Sequence, residues 1–137
     1  AKVGDNPYDF SFSGLKSAVL NYINHAKMTG EEIVVPDLAA SFQNAVVEVL
    51  VTRTVLAAKE YGYDKVAIAG GVASNTALRE GMKEACQKAG LKFYYPSPVY
   101  CTDNAAMIGV AAYYEYIGGS RAGWDLNAVP NLKLGER

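Results

Sequence analysis

Two short clusters, Gly70-Gly71-Val72-Ala73-Ser74-Asn75 and Cys101-Thr102-Asp103-Asn104, hold the residues of this sequence best suited to binding a ligand. Gly70 and Gly71 remove side chains where the chain must turn sharply, so that a ligand can approach the backbone closely. Ser74 or Asn75 can cap the helix that follows, and the N–H groups and positive dipole end of such a helix favour an anion. The combination predicts a seat for a phosphate or nucleotide at Gly70, Gly71 and the helix start that Ser74 or Asn75 caps. It is neither a P-loop, which needs GxxxxGK[ST], nor a GxGxxG fingerprint. Strand–glycine–helix turns also serve as plain packing devices. In the second cluster Thr102 or Asp103 can cap a helix, Asn104 also reads as a capping residue, and an acidic group in a first turn suits the dipole. Cys101 has no identifiable base and reads as a small buried hydrophobe. The single histidine, His25 in NYINHAK, has no second histidine at i+4 and reads as a helix-edge residue.

The elements that position these clusters follow from periodicity. Val66 to Ala69 is an apolar run without alternation, the pattern of a strand covered on both faces. Leu91 to Tyr95 reads as a second strand, closed by Pro96 and Pro98. Between them Leu78, Met82, Ala85, Cys86 and Ala89 recur at helical spacing, with Gly90 as the stop. The apolar segment Ala105 to Ile117 completes a strand–helix–strand–helix unit, whose crossover is expected to be right-handed. Both strand ends then point to one edge of a parallel sheet, where open α/β folds bind ligands. GGVASN and YCTDNA are therefore expected to line one cleft. Upstream, Ser13 can cap a helix from Gly14 to about Met28, and Pro36 opens a longer helix to about Tyr61. The longer helix is apolar on more than one side, which predicts a place deep in the core. Tyr94, Tyr95, Tyr113, Tyr114 and Tyr116 read as core and interface residues. The fold class is α/β, a short parallel sheet packed with long helices. Residues 1–117 are expected to form one lobe and 118–137 an irregular peripheral tail.

Composition narrows the function classes. The chain has 137 residues, half of them apolar, which is one domain by size and enough for a core. A net charge of −1 excludes a strongly basic nucleic-acid module, because phosphate contacts need clustered Lys and Arg. Two cysteines without CxxC spacing point to a cytoplasmic protein rather than a disulfide scaffold. No apolar run approaches the length of a membrane span, so no membrane partner is expected. Ala1 in the first position, followed at once by KVGDNPYDFSFSG, reads as a piece of a longer protein.

Four motifs in order, DFSFSGLKSAV (Asp9 to Val19), AASFQNAVVEVL (Ala39 to Leu50), IAGGVASNTALR (Ile68 to Arg79) and CTDNAAMIG (Cys101 to Gly109), resemble one family. It is the bacterial tRNA N6-adenosine threonylcarbamoyltransferases, TsaD, also catalogued as glycoproteases or O-sialoglycoprotein endopeptidases. The resemblance implies the C-terminal part only: an incomplete second lobe of the actin, Hsp70 and sugar-kinase (ASKHA) fold. It implies an enzyme that moves a threonylcarbamoyl group from threonylcarbamoyl-AMP to N6 of adenosine 37 in tRNAs decoding ANN codons. It further implies that Gly70 and Gly71 lie beside the nucleotide, that Asn75 contacts substrate, and that Asp103 is a ligand of one divalent metal, iron or zinc. Carboxylate with imidazole suits either ion. The family's HxxxH ligands are missing here, so the metal would be shared with a first lobe and the segment alone would be inactive. tRNA and partner subunits of the t6A-synthesis complex are the implied partners. Uncovered apolar surface predicts self-association of the segment. The alternatives are a sugar-kinase-like phosphotransferase lobe and a non-catalytic lobe that docks partners.

Overall fold

The computed structural model describes residues 7–133. In chain order it contains α1 (Phe12–Thr29), α2 (Val35–Glu60), β1 (Lys65–Ala67), α3 (Thr76–Ala89), β2 (Lys92–Tyr94) and α4 (Ala105–Ile117). Short 3-10 turns at Gly71–Ser74 and Pro98–Tyr100 follow the two strands. The chain divides into two compact units with the boundary between Thr102 and Asp103.

In the first unit β1 and β2 are parallel neighbours, with Lys65, Val66 and Ala67 opposite Lys92, Phe93 and Tyr94. This is the strand–helix–strand unit expected from the spacing, with α3 as the crossover. The strand expected to be covered on both faces is not: in β1 only Val66 is buried, and Lys65 and Ala67 are exposed. Val66 joins Ala58 of α2 and Leu78, Met82 and Cys86 of α3 in the core, with Val47, Val51, Ile68 and Phe93 packed against them. Met82 and Cys86 are 1% and 0% exposed, so α3 turns its apolar stripe inward, as its spacing requires. α3 lies close on α2 because Gly81 has no side chain. A Cβ there would stand 3.2 Å from Val47 Cγ1 and 3.5 Å from Val51 Cγ2.

α2 begins where Pro36 predicts, but its depth differs from expectation. Ala58 is its only buried residue, while Phe42 and Leu56 stay exposed. α3 and β1 cover one side of this helix, and α1 meets it over a smaller area, so among the described residues much of its apolar surface stays open. Arg53 ties the segment before α1 to α2 by donating to the carbonyls of Pro7, at 2.6 Å, and Asp9. α1 starts at Phe12 rather than Gly14, and Ser11, not Ser13, caps it by accepting from the Ser13 N–H at 3.2 Å. The cap must directly precede the first helical residue, which moves it two positions upstream.

The second unit is α4 and the irregular segment after it. Arg121 closes the end of α4, with Nη1 donating to the carbonyls of Tyr116 (2.8 Å) and Ser120 (2.7 Å), and its guanidinium stacks 3.9 Å over the Tyr116 ring. No residue of α4 is buried. Tyr113, Tyr114 and Tyr116 are exposed, as are Tyr94 and Tyr95 in the first unit, so none of the five belongs to the core.

Candidate functional site

β1 delivers the chain to its turn. The ladder persists to Ile68, whose N–H bonds the Tyr94 carbonyl at 3.1 Å. Gly70 then takes φ 84°, ψ 173°, a conformation that residues with a Cβ rarely adopt. The 3-10 turn is closed by Ala73 N–H to the Gly70 carbonyl and Asn75 N–H to the Val72 carbonyl, both 3.0 Å. Gly71 is different, because a Cβ there would make only an ordinary 3.9 Å contact with Thr102 Cγ2. The loop after β2 therefore returns to the turn after β1, as a parallel crossover pair should bring it.

Asn75 settles the choice left open between it and Ser74. Its Oδ1 accepts from the Leu78 N–H at 2.9 Å and caps α3, and its Nδ2 donates to Gln43 Oε1 at 2.9 Å. Because a backbone N–H fixes which amide atom is the oxygen, the amide orientation is set by the helix itself. Its nitrogen faces α2. Gln43 and Asn75 line a cavity of about 280 Å³ whose apolar wall includes Phe42, Val46, Val72 and Leu78. Val46, Val72 and Leu78 also border an adjoining space of about 510 Å³ that runs along Ala67, Ala69 and Ala73. The result is an apolar cleft at the C-terminal end of β1, with amide groups at one rim and a glycine turn beside it. Such a hollow suits a flat apolar ring with polar edges, while the turn and the α3 N-terminus suit an anionic group.

Two residues that sequence reasoning did not single out complete the frame. Gln43, from AASFQNAVVEVL, faces Asn75 across the cleft. Arg79, the last residue of IAGGVASNTALR, donates through Nε to the Ala73 carbonyl. Its Nη2 donates to the Pro96 carbonyl at 2.9 Å and lies 3.1 Å from Cys101 Sγ. Its guanidinium sits 4.7 Å from the centre of the Tyr95 ring. The only signal for either was its presence inside a motif, since the partners lie far away in sequence.

Asp103 is exposed and is not a helix cap, nor is Thr102. α4 starts at Ala105, so the cap falls on Asn104, whose side chain accepts from the Met107 N–H at 2.9 Å. Among the described residues no three His, Cys, Asp or Glu side chains come together to hold a metal ion. A metal held by protein ligands needs about three or four of them. The described residues do not fit a complete metal site, and Asp103 offers one carboxylate. His25 is exposed on α1, as expected. Cys101 is buried, matching its reading as a small hydrophobe, and burial pushes the Cys86 thiol above its ordinary range.

The chain matches the family model described as TsaD: tRNA N6-adenosine threonylcarbamoyltransferase over residues 1–110. It is 58% identical over 137 residues to the tRNA N6-adenosine threonylcarbamoyltransferase of Clostridium botulinum (strain 657), covering all of this chain and 40% of that protein. The protein of the same name from Clostridium novyi (strain NT) is 61% identical over 129 residues, 94% of this chain and 38% of the relative. That from Clostridium beijerinckii is 56% identical over 137 residues, with 40% of the relative covered. The chain thus spans about 40% of the length of the curated relatives it matches. Among the described residues no helix is long and apolar enough to cross a membrane.

Proposed function

The chain belongs to the TsaD family of tRNA N6-adenosine threonylcarbamoyltransferases, and from that premise we propose that it is the nucleotide-holding C-terminal part of such an enzyme. In the reaction N6 of adenosine 37, in a tRNA decoding ANN codons, attacks the carbamoyl carbon of threonylcarbamoyl-AMP. A C–N bond forms, the bond from that carbon to the phosphate oxygen breaks, and its electron pair leaves with AMP. The N6 proton is lost to solvent. Gly70 and Gly71 let the nucleotide approach the backbone, and Asn75 presents an amide whose orientation the α3 cap has fixed. The apolar wall of Phe42, Val46 and Val72 excludes water from one side of the bound ring.

The observation that carries this reading is the pairing of the glycine turn with a doubly bonded Asn75 at the mouth of an apolar cleft. Asp103 is assigned as one oxygen ligand of an iron or zinc ion completed by residues outside this chain; when bound, the ion would polarise the activated substrate. The lobe is assigned to the ASKHA fold, its location to the cytoplasm, and its partners to tRNA and the other subunits of t6A synthesis. The test uses the full-length protein and nucleoside mass spectrometry of its tRNA. Asn75→Ala should abolish t6A formation in a protein that remains folded. Wild-type t6A levels from that variant would overturn the proposal.

A further inference from the structure

Arg79 joins the turn after β1 to the loop after β2. Its Nε holds the Ala73 carbonyl, two residues before Asn75, and its Nη2 holds the Pro96 carbonyl in the loop after β2. The same nitrogen reaches Cys101 Sγ, and the Tyr95 ring lies beneath the guanidinium. Only a planar fork with several donors can make these contacts at once; a lysine ammonium is a point charge on a flexible stem. The bonds are partly buried and charge-assisted, so each is stronger than a neutral bond on the surface. Asn75 begins where the turn gripped by Arg79 ends. A shift of the turn would pull its amide away from Gln43.

We propose that Arg79 is a positioning residue: it fixes the turn that carries Asn75 against the loop after β2, and the cleft's affinity for nucleotide depends on that fixed spacing. This deepens the nucleotide reading above and rests on it. The experiment measures AMP binding by calorimetry with the full-length protein, its Arg79→Lys and Asn75→Ala variants, and the double variant. Arg79→Lys should weaken AMP about tenfold, within the range by which residues that touch no ligand modulate a site. If Arg79 acts through Asn75, the double variant binds no more than about twofold more weakly than Asn75→Ala alone, since coupled sites do not add. Wild-type affinity in Arg79→Lys, or single effects that simply multiply, would overturn the inference. Unchanged AMP binding in Asn75→Ala would instead overturn the nucleotide reading, and this inference with it. If Arg79→Lys does not fold, Tyr95→Leu removes only the ring under the guanidinium. It should then show the same non-additivity with Asn75→Ala at about threefold weaker binding, and additivity there overturns the inference.

Discussion

Replacing Asn75 by aspartate or by alanine separates its two roles. Asn75→Ala deletes the acceptor that caps the Leu78 N–H, which costs about 1 kcal/mol, and the exposed bond to Gln43 adds a few tenths more. Asn75→Asp keeps an acceptor at the same atom and places a negative charge at the α3 N-terminus, a gain of roughly 0.3–1 kcal/mol. Gln43 can turn its amide to donate instead of accept. Stability should therefore stay within about 0.5 kcal/mol of wild type, or rise. Nucleotide binding should move the other way, because the new charge faces the anion. At roughly 8 Å and an effective dielectric of about 20 the repulsion is about 2 kcal/mol, a loss of about thirtyfold in affinity. Urea unfolding and AMP calorimetry on the full-length protein measure both quantities. If Asn75→Asp is as destabilised as Asn75→Ala, the cap is wrong. If it binds AMP like wild type, the anion seat is wrong.

Gly70→Ala should lower stability by about 1–3 kcal/mol in urea unfolding, since Gly70 has φ +84°. Gly71→Ala should leave stability unchanged, its Cβ meeting Thr102 only at 3.9 Å, and should weaken AMP binding severalfold by raising the floor of the site. Asp103→Asn should remove bound metal, read by elemental analysis of the full-length protein, while the metal-free variant and metal-free wild type should melt alike. Asn104→Ala, which removes the actual cap, should cost about 1 kcal/mol. Lys88, 2.6 Å from Glu84, holds the Glu84 carboxyl below its ordinary value by hydrogen bond and charge. A lowered pKa in the folded state means that this contribution is present above the ordinary value near 4.5 and lost as pH falls through the folded one. An NMR titration should show Glu84 returning towards 4.5 in Lys88→Met, and no movement would disprove the pairing.

The elements were legible because local signals fix them. Pro36 marks the start of α2, Gly90 the end of α3, and α4 runs from Ala105 to Ile117 as its apolar run predicts. Caps were legible only to within a residue or two. Ser11 and Ser13, or Thr102, Asp103 and Asn104, are chemically equivalent acceptors, and only the first helical residue decides between them. The half-open α2 could not be read from its own apolar content, because burial depends on what the rest of the fold supplies to cover it. Gln43 and Arg79 were invisible for a related reason. Gln43 meets Asn75 across 32 positions, and Arg79 meets Pro96 and Cys101 across 17 and 22, which no periodicity encodes. The strand–glycine–helix signal located the turn at Gly70 and Gly71, whereas the cleft beside it is walled by α2, β1 and α3 rather than by the loop after β2. The side chains that brace the cleft emerged only from the fold.

A crystal structure of the full-length protein with AMP would show where the nucleotide sits. The ring should lie against Phe42, Val46 and Val72, with the Asn75 amide in hydrogen-bond reach and the glycine turn against the nucleotide. AMP lodged instead in the groove between α1 and α2 near Val19, Tyr22 and Leu38, with nothing bound at Gly70 to Asn75, would contradict it.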